Sequence, residues 1–233
     1  MGVTVDEQAA TWFLTTVSRV QAELGLDAGT DDDMFADMID RASSAIAQET
    51  RRVFGVETVT ETLDGTGSRL LGLSRTPVID VTSVTEDGEE ITDYSVEDRA
   101  AGALYRAVGW GRTGGLRMWG TEAFASGYIL PGIGASLRYA VTYRAGYTLP
   151  PERNPFLDAG VDDPQPLPGA VEQACLETVK AWYLGRDADP GISSVSVGQL
   201  KVSYRNEAAT PPGSLPPSAL GLLRNYYATG PLR

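Results

Sequence analysis

The stretch Thr30 to Phe54, TDDDMFADMIDRASSAIAQETRRVF, decides how the rest of the chain is read. Phe35, Ile39, Ala42, Ile46, Glu49 and Val53 recur at spacings of four and three, and Met34, Met38 and Ala45 widen the stripe. One face of a helix is therefore apolar. Asp32, Asp37, Asp40, Arg41, Gln48 and Arg51 fall on the other face. Thr30 with Asp33 three residues on resembles a capping box, and three adjacent aspartates suit the positive end of the helix dipole. Gly55 is expected to end the helix. The sequence then switches to strand-like alternation, so helix and sheet must bury their apolar faces against each other.

Working towards the N-terminus, Thr4 and Glu7 suggest a second capping box, and Ala9, Phe13, Val17, Val20 and Leu24 form a helical stripe. A first helix is predicted from Val5 to Leu24, joined to the second by the short link Leu26 to Gly29.

Towards the C-terminus, VETVTETLDGTGSRLLGL alternates β-branched and polar residues across a turn at Asp64 to Gly67 and reads as a hairpin. A strand then follows Pro77, in which Val78, Val81 and Val84 recur at a spacing of three, the mark of a bulge or bend. Asp87 and Gly88 form a turn. Leu104 to Val108 and Leu137 to Tyr147 complete a small antiparallel sheet or sandwich, with Leu137, Tyr139, Val141 and Tyr143 sharing a face. Between them lies a glycine-rich stretch, 110–136, carrying Trp110, Trp119, Phe124 and Tyr128. It is longer than an ordinary connection and is expected to project as a loop.

Six prolines between Pro150 and Pro168 mark an extended connector. A helix from Pro168 to Leu184 carries Val171, Ala174, Cys175, Thr178, Val179, Trp182 and Tyr183 on one broad face and stops at Gly185. VSVGQLKVSY reads as a strand or hairpin. After a Pro/Gly linker, Thr210 to Pro217, a last helix carries Leu220, Leu223 and Tyr227 along one side, followed by the tail Gly230 to Arg233. The expected fold is α+β: amphipathic helices packed as a bundle, a small antiparallel insertion, and a C-terminal helix with a tail. It divides into 1–54, 55–149 and 150–233, with the helical parts of the first and last sharing one core.

The chain has 233 residues, 19 basic against 31 acidic for a net charge of −12, no histidine and one cysteine. The missing histidine excludes Ser-His-Asp and Cys-His catalysis and any His-ligated metal. The acidity argues against a protein that grips nucleic acid by neutralising phosphates. No apolar run is long enough to span a bilayer, and no leader is expected. A lone Cys175 on an apolar helical face is expected to be an inert core thiol. Gly109, Gly111 and Gly114 match GxGxxG, but GLRMWG is a poor helix start and no acidic residue follows at the required distance. Asp31 to Asp33 and the EDGEE turn at Glu86 to Glu90 read as helix cap and solvated surface, not as metal ligands. No enzyme, metal or cofactor is expected.

Taken in order, the segments DDDMFADMIDRASSAIAQETRR, TETLDGTGSRLLGL, SRTPVIDVTSVTEDGEEITDYSVE, VTYRAGYTLPP, LPGAVEQACLETVKAWYLGRD, VSVGQLKVSY and LPPSALGLLRNYY resemble the head-tail connector, or head-completion adaptor, family of tailed bacteriophages. The telling pieces are Arg75, Pro77, Val78, Val81 and Val84; Tyr143, Ala145, Gly146 and Tyr147; and Trp182, Tyr183, Arg186 and Asp187. The resemblance implies a closed ring of about twelve identical subunits. It also implies docking beneath a portal protein, a second face offered to a stopper or tail-completion protein, and a channel through which DNA passes without specific binding. Its place would be the virion neck, after synthesis in the host cytoplasm. Against that expectation, Arg224, Tyr226, Tyr227, Leu232 and Arg233 are candidates for portal binding, because they are aromatic and basic in an acidic chain. Trp110, Trp119, Phe124 and Tyr128 are candidates for a tail-side or subunit contact, and Asp37, Asp40, Arg41, Gln48 and Arg51 for the channel or a subunit contact. The alternatives are a stopper or tail terminator, or a carboxylate-dependent hydrolase.

Overall fold

The computed structural model describes residues 2–8, 12–111, 138–151, 164–186, 194–197, 200–203 and 214–227. They form an α+β fold in the order β1 (Gly2–Glu7), α1 (Val17–Leu24), α2 (Asp32–Thr50), β2 (Glu57–Asp64), β3 (Leu70–Gly72), β4 (Val78–Glu86), β5 (Glu89–Glu90), β6 (Ser95–Asp98), β7 (Ala103–Tyr105), β8 (Arg138–Ala145), α3 (Gly169–Gly185), β9 (Ser194–Val197), β10 (Leu200–Ser203) and α4 (Pro217–Leu223).

The opening helix is present, with its ends moved. Phe35, Ile39, Ala42 and Ile46 are buried as the spacing requires, joined by Ser43 and Thr50; Glu49 is exposed and Val53 lies beyond the helix. The Thr30–Asp33 capping box does not form. Asp31 caps in a left-handed conformation without a side-chain bond, while the Asp32 carboxylate accepts from Gln21 Nε2 at 2.6 Å. At the other end the helix stops before Gly55, because Arg51 adopts φ 53° and turns its N–H back to Ala47 and Gln48. Thr50 Oγ1 donates to the Ile46 carbonyl at 2.7 Å, satisfying a carbonyl in the last turn.

The first helix is a correction. Gly2 to Glu7 form a strand, paired antiparallel with β2 from Gly2↔Thr62 to Glu7↔Thr58. The alternation of Val3 and Val5 with Thr4 and Asp6 is a period of two, which an edge strand satisfies better than a helix does. Helix α1 begins only at Val17, where the Thr16 side chain accepts from Arg19 N at 3.3 Å, and ends at Gly25 with φ 69°.

Two cores result. Phe35, Ile39, Ala42 and Ile46 of α2 meet Val20 of α1, Val171, Ala174, Cys175 and Val179 of α3, and Ala219 and Leu223 of α4. In α4 only Ala219 and Leu223 are buried, so the expected Leu220–Leu223–Tyr227 side is a correction: Leu220 and Tyr227 are 37% and 39% exposed.

The second core lies between a five-stranded antiparallel sheet, β1-β2-β8-β4-β5, and a three-stranded one, β3-β7-β6. The expected hairpin at Asp64 to Gly67 is therefore absent. Its first arm, β2, pairs with β8 from Glu57↔Ala145 to Asp64↔Arg138, and its second, β3, pairs with β7. The bulge read from the valine spacing is there, as register shifts at Val78/Asp80 and Val81/Ser83 against β8. Asp87 and Gly88, with φ 50° and 92°, make the tight β4–β5 turn. Strands β9 and β10 pair as a hairpin.

The cores join where two chain segments cross. Tyr147 N donates to the Phe54 carbonyl at 2.7 Å and Gly146 N to the Pro77 carbonyl at 2.9 Å. Gly146 has φ 128°, and a Cβ there would run into the Gly55 carbonyl, so only glycine fits.

Candidate functional site

Helix α2 presents its outer face to solvent. Burial of the Phe35–Ile39–Ala42–Ile46 side leaves Asp37, Asp40, Arg41 and Gln48 exposed, and Arg51 is exposed at the cap. Arg41 Nε donates to the Asp37 carbonyl at 3.2 Å, holding the guanidinium along the helix. All five residues assigned to the channel or a subunit contact thus lie on accessible surface.

One flank of this face is a groove. Trp12, Leu14, Val53, Phe54 and Gly55 line it with Asp40, Ser43, Ser44, Ala47 and Gln48 of α2, enclosing about 340 Å³. Leu14 N donates to Ser43 Oγ at 3.1 Å, which fixes the segment before α1 alongside α2. Trp12 remains 40% exposed. Sequence reasoning missed it, because Trp12 was absorbed into a helix that does not form there; a large aromatic just before the Thr16 cap was the available signal.

The other flank receives the C-terminal segment. Trp182 Nε1 donates to the Ser214 carbonyl at 3.0 Å, seating the approach to α4 on α3. Beyond α4, Tyr226 N donates to the Leu223 carbonyl at 2.8 Å, and the Tyr226 ring packs half-buried on the helical core. Tyr227 OH donates to Glu49 Oε1 at 2.9 Å, and that bond to a carboxylate raises the phenol pKa. Arg224 is exposed. The structure thereby brings Tyr227 to the end of α2 and uses Tyr226 as packing. Leu232 and Arg233 lie outside the described residues.

Trp110 departs from the expectation as well. It was expected in a projecting loop, yet it is fully buried in the second core. Its ring meets Tyr139 edge to face at 5.1 Å, its Nε1 donates to the Arg69 carbonyl at 3.1 Å, and the Arg106 guanidinium lies 5.8 Å from its centroid. Trp119, Phe124 and Tyr128 lie outside the described residues.

Several ionisable groups lie inside the molecule. Strand β2 turns Glu57, Val59, Glu61 and Leu63 inwards. Glu61 Oε2 accepts from Tyr143 OH at 2.8 Å and from Ser74 N at 2.9 Å, and Arg75 N donates to Tyr143 OH at 3.1 Å. Burial, and then the Glu61 charge, push the Tyr143 phenol far up. Glu57 sits 3.7 Å from the Arg75 guanidinium, and burial raises its pKa more than that cation lowers it. Burial likewise pushes the Cys175 thiol up to about 12, with Ser43 Oγ 3.8 Å away. A second groove of about 440 Å³ runs between β4 and the segment from Glu90 to Arg99; Asp80 on its wall is held by Arg144 at 3.2 Å. Among the described residues no group of three or more His, Cys, Asp or Glu side chains could hold a metal ion. Nor is any helix among them long and apolar enough to cross a membrane.

With this geometry in place, the chain can be set beside known proteins. Over its whole length it is similar to a chain in a solved structure described as the neck of an empty GTA particle computed with C6 symmetry. The two share 14% identity over 100% of this chain and 98% of that one, with a TM-score of 0.54. The fold is similar to that of a neck chain. A chain in the virion of a native gene transfer agent particle is similar at 16% identity over 82% of this chain and 89% of that one, with a TM-score of 0.49. No protein-family model matches the sequence, and no curated protein matches it.

Proposed function

We propose that this chain is a structural adaptor, a head-tail connector of a tailed phage or phage-like particle. It forms a ring beneath the portal, joins the DNA-filled head to stopper or tail proteins, and continues the DNA channel in the virion neck. The observation that carries this is the full-length likeness of its fold to a chain in a particle neck of C6 symmetry. A cyclic assembly needs two unlike surfaces on each subunit, and the two flanks of α2 differ in the required way. The net charge of −12 suits a conduit that repels the polymer passing through it. On this reading Asp37, Asp40, Arg41, Gln48 and Arg51 face the channel or a neighbour. The C-terminal segment faces the portal, with Tyr226 as its anchor to the helical core and Arg224, Tyr227, Leu232 and Arg233 as its contacts. Trp119, Phe124 and Tyr128 face the tail-side partner or the adjacent subunit.

Native mass measurement of the purified chain, alone and with portal rings, tests the assignment. A ring, or a monomer that assembles on the portal, is expected; a chain that never joins a portal ring overturns it. Removal of residues 228–233 leaves Tyr226 and Tyr227 in place and is expected to reduce retention on portal-bearing capsids. Full retention would remove the tail from the portal contact. Replacing Trp119 and Phe124 with Ser should impair tail joining or ring formation, and intact behaviour in both would remove those residues from the interface.

A further inference from the structure

At 3.6 residues per turn, helix positions two apart lie about 200° apart and positions nine apart about 180° apart. Ala47 and Asp40 line the groove, whereas Glu49 accepts the Tyr227 hydroxyl. The groove and the C-terminal segment therefore occupy opposite flanks of one helix. Their chemistry is complementary. The groove is apolar, with half-exposed Trp12 on its wall and the exposed Asp40 beside it, on a helix with five carboxylates and a single arginine. The opposite flank offers the exposed Tyr227, with the exposed Arg224 three residues before it, in a stretch from Ala208 to Arg233 with two arginines and no Asp or Glu. Half a helical turn keeps the two surfaces apart within one subunit. A contact between them therefore requires two copies.

We infer that the Trp12 groove is the receiving half of the contact between subunits, and that its occupant is the Arg224–Tyr227 segment of a second copy of this chain. Trp12 and Tyr227 supply the large amphipathic rings that anchor such contacts, and Asp40 faces the incoming Arg224. Because surface i meets surface j, and not itself, the contact is heterologous and propagates around an axis, as a ring requires. The inference rests on the ring assembly proposed above, and it moves Arg224 and Tyr227 from the portal contact to the contact between subunits, leaving Leu232 and Arg233 for the portal.

The test uses full-length chains. Ser44→Cys places a thiol in the groove wall and Asn225→Cys places one beside Arg224, both at exposed positions, while native Cys175 stays buried. An equal mixture of the two single variants, oxidised mildly and sized in the same sample by native mass measurement, is expected to give a disulfide-linked pair. A mixture in which Asp98→Cys on β6 replaces Ser44→Cys should not. A chain carrying both thiols should give a ladder of covalent multimers. Trp12→Ala should weaken association about tenfold or more, the scale of a truncated aromatic anchor. Rings without the 44–225 link overturn this contact and leave the ring standing, as does a link that closes only within a single chain. A chain that neither assembles, alone or on portal rings, nor cross-links overturns both.

Discussion

The two glutamates that β2 turns inwards tie the second core to the Ser74–Arg75 link. Glu61 depends on Tyr143 and on one backbone N–H for its hydrogen bonds, and its Oε1 has no partner among the described residues. Tyr143→Phe should therefore destabilise the fold by about 1–3 kcal/mol, the cost of leaving a buried acceptor short of a donor, measured by urea unfolding. Glu57 has its pKa raised by burial. The folded state thus binds the proton more tightly than the unfolded one, and that contribution is present below the ordinary carboxyl value of 4.5 and lost as pH rises through the raised folded value. Glu57→Gln should flatten the stability profile over that window and leave Arg75 able to turn to solvent. Cys175, whose thiol is pushed up to about 12, should resist alkylation at pH 8 until urea unfolds the chain. The cysteine was legible in the sequence because Val171, Ala174, Thr178 and Val179 lie with it on one face of a helix. The inward glutamates were not: VETVTETL alternates on both faces, and only pairing with β8 decides which face is buried.

At the scale of elements, a period of 3.6 sustained over five turns identified α2, and the same rule failed for the N-terminus, where six residues of period two lead into a helix of eight. A stripe drawn through both looked continuous because Ala9, Phe13 and Val17 happen to be four apart. The groove was hidden for the same reason, since Trp12 lies in the link between strand and helix. The hairpin misreading has another cause. Turn residues at Asp64 to Gly67 mark a reversal, but which strand lies alongside β2 is settled by distant segments, β1 and β8. Within α2, Ile46→Ala should cost about 2–5 kcal/mol because its side chain is fully buried, whereas Arg41→Ala should change stability by less than about 0.5 kcal/mol. Arg51 holds a left-handed conformation at the cap. Arg51→Gly should raise the unfolding free energy by about 0.5–1 kcal/mol, read as an increased urea midpoint.

For the whole molecule, the crossing of Phe54–Gly55 with Gly146–Tyr147 is what makes two cores one protein. Gly146→Ala should cost about 2 kcal/mol or more, with helical and sheet signals lost together if the crossing couples them, as circular dichroism and tryptophan fluorescence would show. The α+β class could be read from the order of periodicities, and the outer face of α2 from its charges. The pairing of that face with a groove and a C-terminal segment could not, because it depends on how α4 and the Trp12 link pack around it. Strand β1 has one further implication. It leaves the ribosome before every strand it depends on: it pairs with β2, which in turn needs β8, from beyond the Trp110 segment. Closing such distant pairings is slow relative to forming a local helix. During synthesis β1 therefore waits as an unpaired β-forming segment, and a nascent chain stalled before Arg138 should be open to proteolysis at Gly2 to Glu7, while one released past Ala145 should be protected there.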